Sequence, residues 1–241
     1  MNINLINVIF IFKMRAIKYI FITISAILVL YTSLNAEENS DFSLGKKSFQ
    51  DGFYEVAAKS LEKFLSEKPE GPDILDARLL LGESCVHLNR FSDAMAQLDS
   101  VINSEAKPDM KDEAAYWKSE IYFRTRDFEK ARELYSAILD RSPSSNYAPY
   151  VKYAYAWSLY EEKKYQEALD KFSAFLSEYP KSELKEDSEV KIGEILYRLK
   201  KYDQSRDMLS KFVQETKDTK KAKLAYFYIG ENYYYQGDYK N

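Results

Sequence analysis

Residues 45–69 read GKKSFQDGFYEVAAKSLEKFLSEKP, and the order of residue types in this stretch recurs down the chain. Gly45 opens it, Gly52 marks a turn seven residues on, and Tyr54, Ala57, Leu61, Phe64 and a closing Pro69 follow. Steps of 37 residues from Gly45 reach Gly82, Ser119, Ala156, Gly193 and Gly230, all small. The same step from Tyr54 reaches Phe91, Phe128, Tyr165, Tyr202 and Tyr239, all aromatic, and from Ala57 reaches Ala94, Ala131, Ala168 and Ser205. Two further columns are large and apolar: Leu61, Leu98, Tyr135, Phe172, Leu209 and Phe64, Val101, Ile138, Phe175, Phe212. Five columns that keep one step without a slip define an internal repeat. Units of this size bury their apolar faces by stacking on their neighbours.

Within a unit the apolar spacing is helical. In the fourth, Tyr155 and Leu159 belong to one run and Leu169, Phe172 and Leu176 to a second, with EEKK at residues 161–164 between them. Each unit is therefore predicted to be helix, tight turn, helix. Pro69, Pro143 and Pro180 share a column just after the second helix, and Pro72, Pro108 and Pro149 are placed in the same connections, away from helix interiors where proline costs about 3 kcal/mol. A small residue in the first helix lets the backbone of the second approach. Only 7 glycines and 6 prolines in 241 residues argue against a turn-rich β-sandwich and against disorder. Aromatics make up 15% and charged residues 30%, which suits buried seams with charged outer faces.

This pattern resembles the tetratricopeptide repeat (TPR), over residues 38–241: five full units and the first half of a sixth, YYYQGDYKN. The resemblance implies an all-α, right-handed superhelix, an α-solenoid, with eleven helices: two per full unit and one in the last. The familiar period is 34; here it is 37, with the extra residues in connections such as SPSSNYAPY and YPKSELKEDSE. The longer unit with its YPxS ending is similar to two families of Gram-negative envelope proteins. One is the periplasmic TPR protein that accompanies the Tol-Pal system; the other is the TPR lipoprotein of the outer-membrane β-barrel assembly machinery. The chain departs from the first in showing no coiled coil ahead of its repeats, and from the second in having no cysteine to lipidate near residue 36.

Residues 1–36 read as a targeting segment with no acidic residue. Lys13, Arg15 and Lys18 precede the apolar run YIFITISAILVLY at 19–31, and TSLNA ends in the small residue Ala36. That order is the pattern of a secretory signal peptide, and Met14 offers a second start. Cleavage after Ala36 or retention as an anchor would both export residues 37–241, whose 32 basic against 38 acidic residues give net −6 after those three cations are removed.

Motifs for chemistry are lacking. There is no GxGxxG, Walker loop, GxSxG or HExxH, and the GKKS at 45–48 is accounted for by the repeat. One cysteine and one histidine exclude a disulfide framework, a Cys-based zinc site and any mechanism that needs two imidazoles. Cys85 falls in an inward helical column and reads as an inert thiol; His87 reads as a surface residue. Lys217, Lys220, Lys221 and Lys223 read as a solvated connection. Net charge −3 is not that of a nucleic-acid binder. No catalytic residue, metal ligand or cofactor is expected; an enzyme subunit is the competing class.

What the resemblance leaves for function is the concave face made by the first helices. Its columns run Phe42, Leu79, Tyr116, Tyr153, Val190, Phe227; then Lys46, Glu83, Glu120, Trp157, Glu194, Glu231; then Phe49, Val86, Phe123, Tyr160, Tyr197, Tyr234. The expected groove is aromatic with a ladder of glutamates, and Tyr116, Glu120, Phe123, Tyr153, Trp157, Tyr160, Glu194 and Tyr197 are the candidate partner-binding residues. They suit a protein or peptide that carries Lys or Arg and an apolar anchor. The chaperone-tail type of TPR groove clamps a carboxylate with Lys and Asn; acids stand at those places here apart from Lys46. The last helix, around LAYFYIGENYYY, is highly aromatic and has no polar outer face, so a further segment or another chain is expected to cover it.

Overall fold

The computed structural model describes residues 40–67 and 70–238. The targeting segment, Pro69 and Tyr239 lie outside the described residues. Eleven helices and no strand occur among the described residues: α1 (Ser40–Gln50), α2 (Tyr54–Glu67), α3 (Ile74–His87), α4 (Phe91–Ile102), α5 (Pro108–Arg124), α6 (Phe128–Arg141), α7 (Ala148–Glu161), α8 (Tyr165–Glu178), α9 (Lys185–Arg198), α10 (Tyr202–Glu215) and α11 (Thr219–Gln236). None of them is long and apolar enough to cross a membrane. The chain divides into two compact units, one ending at Leu88 and one beginning at Asn89. In the first, α1, α2 and α3 pack on one another; in the second, each helix from α4 to α11 packs on the next, and α9 also meets α11.

The columns of the sequence are the core. Ala57, Ala94, Ala131, Ala168 and Ser205 are fully buried, as are Leu61, Leu98, Tyr135, Phe172 and Leu209, and no member of the Phe64 column is more than 5% exposed. Each such large side chain contributes about 1.5–3 kcal/mol on burial. The small column explains how the helices come so close. A Cβ on Gly45 would stand 2.7 Å from Leu61 Cγ. One on Gly193 would stand 2.9 Å from Leu209 Cδ1 and nearer still to Cγ and Cδ2. Gly230 of α11 differs: it is exposed, and nothing lies within 4 Å of its Cβ position. Leu224, Tyr226, Phe227, Tyr234 and Tyr235 of α11 are exposed with it.

The turns keep the same step. Gly52, Asn89, Arg126, Lys163, Lys200 and Gly237 all have φ between 59° and 79°, in the left-handed region. In the fourth unit Lys163 N donates to Tyr160 O at 2.8 Å and Lys164 N to Leu159 O at 2.9 Å, and the fifth repeats this with Lys200 and Lys201. These bonds satisfy carbonyls that the helix end would leave open. The next residue but one is the turn aromatic, which opens the second helix of every full unit. Two prolines placed in connections by sequence instead start helices: Pro108 is the first residue of α5 and Pro149 the second of α7, where a missing N–H loses no helical bond.

Candidate partner-binding surface

The first helices of the second unit, α5, α7, α9 and α11, carry the predicted groove residues. Repeat spacing puts one residue of each column on every such helix. Because Cβ atoms three or four residues apart share a helix face, the three columns form one surface. The structure separates the eight candidates into two groups. Tyr116, Glu120 and Phe123 of α5 and Tyr153 and Trp157 of α7 line one pocket, with Ala154 and Glu161, of about 370 Å³. Tyr160, Glu194 and Tyr197 belong to the seam between α7, α9 and α11.

In the pocket, Trp157 stands edge-to-face to Tyr153, with ring centroids 6.3 Å apart, and Tyr116 packs 6.4 Å from Tyr135. Glu120 accepts a hydrogen bond from the Tyr135 hydroxyl. Burial raises the Glu120 carboxyl above its usual range, against the Tyr135 hydrogen bond and the Arg124 field. Burial and the Glu120 charge likewise push the Tyr135 phenol up. Tyr116 is raised by burial first, then by Glu120.

The neighbouring seam is already filled. Lys191 of α9 places its ammonium 4.1 Å from the Trp157 ring centre and 4.2 Å from that of Tyr160, and 2.6 Å from Glu194. Tyr160 donates to Glu194 as well, and Arg198 lies 3.5 Å from it. Burial opposes the charge of Glu194, but the hydrogen bonds from Lys191, Tyr160 and Tyr228 outweigh it and hold the carboxyl below its usual range. Tyr197 donates to Glu231 at 3.0 Å.

The glutamates therefore do not form the open ladder that the sequence suggested. Glu83 and Glu194 are buried at 4% and 5% exposure, and Glu231 accepts from Tyr197. For Glu194 and Glu231 the reason is the tyrosine column beside them, since Tyr160 and Tyr197 of the preceding first helix donate to these acids; Glu120 instead accepts from Tyr135 of α6. Leu79, Val86 and Val190 are core residues. Lys191 and Ala154 did not stand out in the sequence, although Lys191 lies three residues before Glu194, a spacing at which helical side chains meet. Cys85 is buried, as expected; His87 is half-buried and stacks on Tyr54 with centroids 4.0 Å apart. No three of His, Cys, Asp and Glu converge on a metal position among the described residues.

Stacked helical hairpins joined by left-handed turns, with a buried Ala–large–large seam in each second helix, define an α-solenoid of protein-binding type. Family profiles described as tetratricopeptide repeat match residues 43–111, 105–146, 150–182 and 187–219, so the chain belongs to the tetratricopeptide-repeat family. No curated protein matches the sequence. Solved structures do resemble it. A tetratricopeptide repeat protein from Parabacteroides merdae is 16% identical with a TM-score of 0.62, over 83% of this chain and 74% of that one. BtubC (BKLC) from P. vanneervenii is 14% identical with a TM-score of 0.61, over 81% and 85%. At such identities the likeness is one of fold.

Proposed function

We propose that this protein is a non-enzymatic, exported scaffold that joins protein partners in the bacterial cell envelope through its first-helix face. The observation that carries the reading is the pocket between α5 and α7, where four aromatic side chains and two carboxylates face a space that no side chain among the described residues fills. Aromatic anchors with charged neighbours are the composition of binding hot spots. A basic partner with an apolar anchor matches it. The acid-free segment 1–36 supports export to the periplasm, and the 37-residue unit supports a role of the Tol-Pal-accompanying kind; β-barrel assembly at the outer membrane is the second reading, favoured by the same unit length.

A photoreactive amino acid at position 153, on the first-helix face, and another at Lys171, on the second-helix side, test it in envelope preparations from the native host. Capture from position 153 but not 171, reduced about thirtyfold by Trp157→Ala if Trp157 is worth the ~2 kcal/mol of a hot spot, is expected. Capture from 171 alone refutes the first-helix face. N-terminal sequencing of the native protein tests export: a start near Glu37 is expected, and a cytoplasmic chain that keeps residues 14–36 overturns it.

A further inference from the structure

The pocket and the neighbouring seam are the same place in consecutive repeats, and one difference between them names the ligand. Ala154 on α7 and Lys191 on α9 are one period apart. In the seam, the Lys191 side chain enters between Trp157 and Tyr160 and ends on Glu194. One repeat earlier the equivalent position is Ala154, whose short side chain leaves that volume open as the α5–α7 pocket. The walls keep the same chemistry with two places exchanged: Glu120 stands where the seam has Trp157, Phe123 where it has Tyr160, and Trp157 where it has Glu194. Both places therefore set aromatic faces around a glutamate that accepts a phenol, Tyr135 for Glu120 and Tyr160 for Glu194, and the pocket lining also includes Glu161. The seam sets Lys191 on its rings and its glutamate, whereas at the pocket Arg124 acts on Glu120 through its field and Arg126 lies 3.9 Å from Glu161. Burial raises the Glu120 carboxyl even against Tyr135 and Arg124, whereas hydrogen bonds from Lys191, Tyr160 and Tyr228 hold that of Glu194 below its usual range.

We infer that the α5–α7 pocket binds one lysine or arginine side chain of a protein partner, which takes the place that Lys191 occupies one repeat further on. The cation would stack on Trp157 and Phe123, be neutralised by Glu120, and lay its aliphatic stem along Tyr116 and Tyr153. This rests on the first-helix face being the binding surface, but it specifies the chemistry of a single subsite.

The test is a titration of the intact protein, followed by the Trp157 indole and Ala154 methyl resonances, with an acetylated and amidated Gly-Leu-Arg-Leu-Gly peptide. The control replaces arginine by citrulline, which keeps shape and hydrogen bonding but not charge. Saturable shifts confined to α5 and α7 are expected, with affinity at least tenfold weaker for citrulline. Ala154→Lys should supply the missing cation internally and abolish the shifts in a protein that keeps its helicity. Should that variant fold poorly, Glu120→Gln, which still accepts from Tyr135, is expected to weaken arginine binding about tenfold. Equal binding of the citrulline peptide, an undiminished response in a folded Ala154→Lys protein or in Glu120→Gln, or no binding to the pocket overturns the inference. The crosslinking experiment separates this from the broader proposal: capture from position 153 with no cation preference leaves the scaffold standing and removes only the lysine/arginine subsite.

Discussion

Gly193→Ala and Gly230→Ala are one chemical change at equivalent positions in consecutive repeats, and the structure assigns them opposite effects. Both residues sit in helices without a positive φ, so each replacement gains about 1 kcal/mol of helix propensity. At Gly193 the added methyl would overlap three atoms of Leu209, which is fully buried and has no solvent to swing into. Either α10 moves away or Leu209 leaves its rotamer, at about 1–3 kcal/mol. The net effect at Gly193 is a loss of roughly 0–2 kcal/mol after the propensity gain is subtracted. At Gly230 nothing lies within 4 Å, so the gain stands alone. Because propensity cancels between the variants, their difference is the overlap term, about 1–3 kcal/mol, or roughly 2–12 °C in Tm for a chain of this size. Urea denaturation followed by helicity gives the global values. Hydrogen exchange locates them, since repeat arrays open locally. Exchange should slow over residues 224–236 in Gly230→Ala and quicken over 185–215 in Gly193→Ala. Equal effects, or stabilisation at Gly193, would mean that the small column is not where α9 and α10 meet.

The turns and the acids give further tests. Lys163 and Lys200 hold left-handed conformations that cost a side-chain-bearing residue roughly 1–2 kcal/mol, so Lys163→Gly or Lys200→Gly should stabilise by about 0.5–1 kcal/mol after glycine's own entropy cost; a destabilised variant in equilibrium denaturation would contradict the turn geometry. Glu194 has a depressed folded pKa, so its contribution is fully present above the unfolded glutamate value of about 4.3 and is lost as pH falls through the folded one. Wild type should therefore exceed Glu194→Gln in stability at neutral pH, with the gap closing in acid; a gap that is constant with pH refutes the pairing. Glu120 has the opposite sign, its ionised form being disfavoured by burial, so Glu120→Gln should unfold no more easily than wild type at pH 7.

Sequence alone determined the number and order of the helices among the described residues, because they follow from local periodicity repeated six times. The 37-residue step fixed which residues are buried in each second helix, from Ala57, Leu61 and Phe64 to Ser205, Leu209 and Phe212, since equivalent residues meet equivalent neighbours. It also marked Gly52 and Gly237 as turn residues. Arg126, Lys163 and Lys200 stand in the same 37-residue column, but their residue types do not favour the left-handed conformation, which the backbone bonds impose. The groove was half legible. The columns lie on the first helices, with Leu79, Val86 and Val190 in the core, but which glutamates remain open depends on side chains from the adjoining repeat. Lys191 reaching Trp157, Tyr160 and Glu194, and Ala154 failing to reach their counterparts, is a relation between helices 37 residues apart. Column identity tells which residue type stands at a position; only the packed helices decide whether its charge is already satisfied, because satisfaction depends on distance to a neighbour that the period does not specify.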